Sequence, residues 1–474
     1  MSTGDPATTA PATPRTGEPP GGPFAPAYRL ITVALIALVT IVAFESMAVS
    51  TAMPQAAGDL DAVRSYGLVF SVMLTAQLLG IVLAGVWSDR SGPVPGLYAG
   101  QLLFAAGAAS CGLASTFPIL LVGRAITGLG AGIVIVVLYV VVGQVYPAAI
   151  RPRVFSFVSA AWILPSMVGA PLSGWLASTF TWRLVFWVVV PPALVTLAVV
   201  VRQSAAIRRQ DDRAAHGLDE RSLHRRTANF GVLVALAAGL VQLGTHERFA
   251  LHSWQSLAAV VGVVGLLAVT PRLLPTGTLR MVRGLPSVIL SRFLLNAAFN
   301  GSITFVPLML THERGSTLST AGVVLAVGSL GWSGGSWVQG LPSMAGRRPA
   351  LVSFGGLFVS LGCLALVLVT AAGWSVWLFA PAMVLAGTGM GLGSTSLSVL
   401  LLDLAPAGEY GKASAALQLS DVLGSVIGIA AASALFASFH TSGGDTRTYL
   451  LIWGLLAVVA APVVVAGRRC AVRS

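Results

Sequence analysis

The chain has 474 residues, of which 55% are hydrophobic and only 9% charged, and its mean hydropathy is +0.85. A water-soluble globule of this length needs far more polar material to cover its surface, which excludes a soluble domain. The net charge of +12 would suit a nucleic acid, but the basic residues lie in short loops between apolar stretches, the pattern of a membrane topology signal.

Residues 1–27 are mostly Pro, Thr, Ala and Gly with almost no large apolar side chain, and they are expected to form a disordered tail. Six apolar segments follow at about 28–53, 66–88, 94–115, 118–146, 155–178 and 182–201. Each has roughly the 20 residues that a bilayer core requires. The first is too long for a signal-peptide core and has no small-residue cleavage site after it, so it reads as a retained span. The stretch 202–228 mixes seven Arg with four acids and reads as a solvated linker. A central pair of apolar segments lies at about 229–246 and 255–272. Six more lie at about 286–311, 318–341, 350–371, 375–403, 413–437 and 448–467, and residues 468–474 form a tail. The predicted fold class is an all-α integral membrane protein with 14 transmembrane helices.

Fourteen spans put both termini on one side. One set of loops holds Arg90, Arg151, Arg153, seven Arg between 202 and 226, Arg272, Arg280, Arg283, Arg347, Arg348, Lys412, Arg468, Arg469 and Arg473. The other set holds only Arg64, Arg183, Arg248, Arg314 and Arg447. Basic loops stay in the cytoplasm, so both termini are expected there, in a cell membrane. Cys111, Cys363 and Cys470 are widely separated and have no metal-ligand spacing.

Glu45 is the only charge between Ile31 and Met53. An ionisable group at that depth costs at least about 2.5–3.5 kcal/mol, which marks it as functional by default. Arg124 interrupts the fourth span and Asp421 the thirteenth, whereas Arg292, at the start of the ninth, is expected to snorkel. Gln77, and Asn296 with Asn300 four residues apart on one helix face, are either interhelical hydrogen-bonding groups or substrate contacts. Met47, Trp162 and Phe299 are candidates for an apolar cavity wall.

The chain repeats internally at an offset of 259. Gly128, Gly130 and Gly132 match Gly387, Gly389 and Gly391; Pro147-Ala148 matches Pro406-Ala407; Arg153 matches Lys412; Gly169 matches Gly428. Both copies run the same way across the membrane, a parallel repeat. Four short motifs accompany it. Gly85-Val-Trp-Ser-Asp89-Arg90-Ser-Gly92 follows the second span, and a degraded copy, Gly340-Leu-Pro-Ser-Met-Ala-Gly346-Arg347-Arg348, follows the tenth. The fifth span carries Gly169-Ala-Pro171-Leu-Ser-Gly174, and the sixth begins Trp182-Arg183-Leu-Val-Phe186. Glu45 stands nine residues before Pro54, which is expected to close the first helix.

Together these features resemble the major facilitator superfamily, over about 28–467, and in the central pair and the acid of the first span its fourteen-span drug:proton antiporters. The resemblance implies two six-helix bundles, at 28–201 and 286–467, with an extra helix pair at 229–272. It implies a conformational latch at Gly85, Asp89, Arg90 and Gly92, echoed by Arg347 and Arg348. It further implies a bent fifth helix at Gly169, Pro171 and Gly174. In that fold the first and fourth spans line one cavity. Glu45 lies roughly 12 Å and Arg124 roughly 9 Å below the same face, from the 1.5 Å rise per residue, so a contact is within reach. Contact favours ionised Glu45, and its release leaves a buried carboxyl that favours the proton. Asp421 lies at a different level and is expected to be a second proton site or to face an inner water-filled cavity.

The resulting expectation is a monomeric exporter of lipophilic small molecules, driven by a proton gradient, with no cofactor or metal and no nucleic-acid partner. The alternatives are a transporter dedicated to one metabolite and a non-transporting membrane receptor on the same fold. No Gly-rich loop with Lys provides an ATP motor, and no nucleophile–base arrangement suggests an enzyme.

Overall fold

A computed structural model describes residues 22–26, 28–147, 150–214, 277–404, 410–441 and 444–471, and parts of 232–268. All regular structure among these residues is helical. The first group of helices is α1 (Arg29–Asp59), α2 (Leu68–Ser91), α3 (Pro93–Gly112), α4 (Phe117–Val145), α5 (Arg151–Ala160), α6 (Ile163–Thr179), α7 (Trp182–Trp187) and α8 (Val190–Ala214). The second is α9 (Leu285–Leu308), α10 (Leu318–Gly340), α11 (Arg348–Ala371), α12 (Phe379–Leu404), α13 (Tyr410–Phe439), α14 (Thr446–Ala460) and α15 (Pro462–Arg469). Ten described stretches are long and apolar enough to cross a membrane. Most of the expected central pair at 229–246 and 255–272 lies outside the described residues, so fourteen spans are not reached among them.

Prolines explain where the helices break. The fifth span was expected to loosen at Gly169–Pro171, yet α6 runs unbroken through Pro171, and the break falls at Ala161 and Trp162. The cause is Pro165, which cannot donate to the Ala161 carbonyl and whose ring crowds it. Pro191 and Pro192 follow the gap between α7 and α8, and Pro462 follows the gap between α14 and α15. Pro54 does not close α1, which continues to Asp59. One missing donor is tolerated there because good helix formers follow and Ala56 and Ala57 are buried. At the N-terminus, residues 22–26, within the stretch expected to be disordered, run through turns onto α1. The Phe24 ring meets Phe157 edge-on at 5.1 Å, and Thr32 donates to the Pro23 carbonyl at 2.7 Å.

The two groups repeat each other's packing through glycine. Apolar side chains gain little from leaving lipid for another helix, so close backbone approach carries the association. A Cβ at Gly128 or Gly132 would lie 2.1 Å from the carbonyl oxygen of Met73 or Gln77 on α2. Gly387 and Gly391 stand in the same way against Gly328 and Trp332 on α10, at 2.2 and 2.1 Å. Gly107 faces Thr127 while Gly362 faces Ala386. The second and third helices of each group are thus related by an offset of 255, under which Gly80, Gly85, Gly100 and Gly107 match Gly335, Gly340, Gly355 and Gly362.

The groups meet along two seams, α6 on α10 and α2 on α13. The closest described contacts all lie toward the end that is poor in Arg. There Ala170 and Leu318 carbonyls fill the space that a Cβ on Gly322 or Gly174 would occupy. Tyr66 donates to the Thr304 carbonyl at 3.0 Å, Ser178 meets Ser319 at 3.4 Å, and a His312 ring nitrogen lies 3.4 Å from the Pro54 carbonyl. Part of the central region covers the second seam, where Val234, Ala237 and Ala238 pack on Leu78 of α2 and on Leu423 and Val426 of α13.

A side chain at a glycine contact should therefore be destabilising. We expect Gly132→Val to lower the unfolding midpoint of the purified protein, at an overpacking cost of about 1–3 kcal/mol. Gly143→Ala, where a Cβ meets nothing within 4 Å, should leave it unchanged. Thermal unfolding in detergent checks both.

Candidate functional site

The first candidate site lies wholly within the first helix group. α1 delivers Glu45 and α4 delivers Arg124, and the two form a direct ion pair. Both side chains are sealed, at 0% and 2% exposure. Arg124 also donates from Nε to the Val69 carbonyl at 3.4 Å and turns Nη2 to the Met73 sulfur. Those partners lie on α2, which the glycines of α4 draw close. Glu45 Oε1 is used by Arg124, while Oε2 is buried with no hydrogen-bond partner among the described residues. Leaving a buried acceptor unpaired costs about 1–3 kcal/mol. The carboxylate is therefore held by one oxygen and unpaired at the other.

A second cluster occupies the other group. Arg292 was expected to snorkel; instead it grips Asp421 with both nitrogens of a fork, Nε on Oδ1 and Nη2 on Oδ2 at 2.8 Å. Its remaining Nη1 donates to the Ser394 carbonyl at 2.5 Å, which joins α9, α12 and α13. Asn296 adds a donor to Asp421 at 2.7 Å, and Asn300 donates to Ser425 at 3.0 Å and to Asn296 at 3.3 Å. The cluster is partly open, with Arg292 15% and Asp421 18% exposed. A forked pair of this kind is the geometry that matches guanidinium to carboxylate best. Glu45 and Asp421 do not touch. Gln77, Asn296 and Asn300 thus divide: the two asparagines join Asp421, while Gln77 stands on α2 beside Leu78, with its carbonyl against Gly132.

The remaining expected positions fall elsewhere. Gly169 lies against Met47 and Phe44 of α1, Ser173 donates to the Ala48 carbonyl at 2.5 Å, and Gly174 lies against α10. This segment is thus wedged between α1 and the second group. Phe299 is buried at 4% exposure and packs edge-on to Trp332 at 5.3 Å. Trp162 is 39% exposed at the break between α5 and α6. The side chains of Asp89 and Arg90 lie outside the described set, and their backbone forms the last turn of α2. Gly85 has open space where a Cβ would be, and Gly92 ends that helix with a φ of 72°, a conformation that favours glycine. Of the second latch copy, Arg347 is exposed and Arg348 meets Asp403 at 3.4 Å, so the acid missing from that motif comes from the end of α12. Trp182 donates to Asp59 at 2.9 Å and Arg183 to the Ala114 carbonyl at 2.9 Å, which closes the Arg-poor end of the first group. Cys111, Cys363 and Cys470 are buried free thiols, and no metal-binding group of His, Cys, Asp and Glu occurs among the described residues.

Two residues escaped the sequence reading. Arg292 sits near a helix end, which suggested snorkelling, and its partner lies 129 residues away. Trp332 was legible only through the 255 offset that pairs it with Gln77.

The profile of the Major Facilitator Superfamily matches residues 35–429. An uncharacterised MFS-type transporter of Mycobacterium tuberculosis is 26% identical over 456 residues, with 91% of this chain and 63% of that protein covered. This chain therefore spans less than two thirds of that relative's length. The multidrug transporter protein MdtP of Bacillus subtilis is 23% identical over 433 residues, covering 89% of this chain and 77% of the relative. Among solved structures, a peptide transporter POT in complex with sulfate superposes with a TM-score of 0.68 at 16% identity, over 92% of this chain and 95% of the other. That likeness establishes the fold.

The sealed pair makes a quantitative expectation. Glu45→Ala alone leaves Arg124 buried without its counter-charge and should destabilise the protein by about 3–5 kcal/mol. Adding Arg124→Leu should recover most of that loss. Arg348→Ala, which removes an exposed pair, should cost less than about 1 kcal/mol. Denaturation of the four proteins side by side measures these differences.

Proposed function

The chain belongs to the major facilitator superfamily and is a multi-pass membrane protein, and on that premise we propose that it exports lipophilic small molecules in exchange for protons. The observation that carries this reading is the sealed Glu45–Arg124 pair with its one unpartnered carboxylate oxygen. A permanent structural pair gains by satisfying both oxygens. A carboxylate held on one side can accept a proton on the other once Arg124 lets go. The multidrug name of the Bacillus relative supports the substrate class.

In this reading the Arg-rich loops are cytoplasmic, as are both termini, and the membrane is the cell membrane. The protein acts as a monomer in the bilayer and needs the proton gradient alone, without a cofactor. The closed contacts at the Arg-poor end then belong to a state open toward the cytoplasm. Rocking the two helix groups about their seams would close that side and open the other. α6, wedged between α1 and α10, couples the rocking to α1. A shift of α1 against α4 separates Glu45 from Arg124, and the carboxyl, now without its counter-charge in an apolar surrounding, takes a proton from outside. Return of Arg124 displaces the proton toward the cytoplasm. Asp421, held by Arg292 and Asn296 and partly exposed, acts as a second protonatable site. Gly85, Asp89, Arg90 and Gly92, with Arg347 and Arg348, act as the latch on the cytoplasmic side.

The test is transport by purified full-length protein in proteoliposomes with an imposed pH gradient, using a panel of lipophilic dyes. Wild type should move dye against its gradient, and Glu45→Gln should abolish the dependence on the pH gradient while leaving dye binding in place. Gradient-driven transport that survives Glu45→Gln would reject the assignment of Glu45. Absence of movement for every dye would reject export of lipophilic substrates.

A further inference from the structure

The Arg-rich end of the second helix group carries a patch of charge outside both ion-pair sites. The chain enters α9 through a tight turn, 277–284, in which Thr278 is buried while Leu279, Arg280, Val282 and Arg283 are exposed. The turn is a fixed element. Gly277, Met281 and Gly284 have φ of 86°, 51° and 88°, and a non-glycine residue such as Met281 seldom adopts that region. The end of α15 holds the turn in place. Gly284 N–H donates to the Arg469 carbonyl at 2.8 Å, and Arg469 Nη1 donates to the Met281 carbonyl at 3.4 Å. Ser287 donates to the Val282 carbonyl at 2.8 Å and closes the turn onto α9.

α15 also brings in a third segment. A Cβ on Gly467 would lie 2.4 Å from Ser353 Oγ and 2.9 Å from the Pro349 carbonyl oxygen, so the start of α11 packs directly on it. Arg347 stands two residues before Pro349. Three segments far apart in sequence thus gather Arg280, Arg283, Arg347, Arg468 and Arg469 around one helix end, and all five are exposed.

No acid of this group neutralises them among the described residues. Asp403 meets Arg348 and Asp421 is held by Arg292, while Glu313 and Asp445 are joined to each other at the Arg-poor end. The side chains of Arg280, Arg283, Arg347 and Arg468 make no hydrogen bond among the described residues. The patch is a concentrated positive charge with its guanidinium donors turned outward.

The apolar neighbours of these arginines decide the partner. Leu279 and Val282 are 63% and 49% exposed, and each immediately precedes an arginine. Val465, 55% exposed, lies on the face of α15 that one turn later carries Arg468. Apolar side chains and guanidinium groups therefore share one rim, as on a surface that lies between acyl chains and headgroups. An acidic protein would satisfy the arginines and leave the apolar groups in water. A leaflet containing anionic lipid satisfies both.

We propose that this rim binds the headgroup of an anionic phospholipid in the leaflet at the Arg-rich end. Arg280, Arg283 and Arg468 hold the phosphate through guanidinium N–H groups, which match its oxygens in pairs. Leu279, Val282 and Val465 lie along the acyl chains. The site does not depend on what the protein carries.

The test is equilibrium binding to the purified full-length protein in nonionic detergent. The probes are phosphatidylglycerol and phosphatidylcholine with identical, fluorescently labelled acyl chains. Phosphatidylglycerol should bind at least about tenfold more tightly, since each arginine near an anionic headgroup contributes about fivefold. Combining Arg280→Gln, Arg283→Gln and Arg468→Gln should bring the two lipids within about threefold of each other. Lysine at the same three positions should keep the preference, and so should Arg447→Gln, which removes an exposed arginine at the opposite end. All variants should elute as monodisperse protein. In the wild type, raising salt to about 0.5 M should reduce the preference. Glycerol phosphate at the concentration of the lipid should not displace it, because it makes no apolar contact. Equal binding of the two lipids would overturn the proposal and leave the patch to an acidic protein segment. A preference that survives in the glutamine variant, or is lost in the lysine or Arg447 variants, would overturn it too. Displacement by glycerol phosphate would mark a simple anion site and reject the lipid. Should a variant aggregate, the salt titration of wild type decides, and a preference unchanged by salt rejects the proposal.

Discussion

Lipid offers a helix no hydrogen bond and little reason to exchange one apolar neighbour for another, so this bundle is held where backbones touch. The glycines of α4 and α12 are the pivots of that arrangement. Each set of three places one face on the second helix of its group and the other face on the third. Close approach of α4 to α2 is also what brings Val69 and Met73 within reach of Arg124. The charge inside the bundle is thus a consequence of the glycine packing as much as of the residues that carry it.

The same packing is used twice, but the charges are not. The repeat puts Met383 where the first group has Arg124, and Trp162 where the second has Asp421. One ion pair joins the first and fourth spans and is sealed; the other joins the ninth and thirteenth and is partly open. Both are neutral as pairs, which lowers the cost of burial. A symmetric scaffold thus carries asymmetric polar groups: a sealed carboxylate in one half and a partly open cluster in the other.

Proline shapes the rest. Pro165 places the break of the fifth span at Ala161 and Trp162, and so frees Trp162 from regular helix at the level of Asp421. Pro54 and Pro171 sit inside α1 and α6 without ending them. The difference is positional. Pro165 is the third residue of its helix, where its missing donor falls in the first turn, whereas Pro54 and Pro171 lie well inside helices that run on past them.

The sequence alone determined the class of molecule, because hydropathy and loop charge report directly on the solvent each residue needs. It also determined the repeat, because glycine contacts demand the same residue wherever the same backbone approach recurs. It singled out Glu45 and Arg124, since an isolated charge in an apolar run stands out at any distance from its partner. Tertiary structure alone decided that Arg292 serves Asp421 rather than the membrane surface, that Phe299 supports Trp332, and that the fifth span breaks at Pro165 and not at Pro171. These depend on which helix lies opposite at a given depth. Depth along one helix can be counted from residues; the neighbour across a seam is set by how two whole groups of helices come to rest against each other.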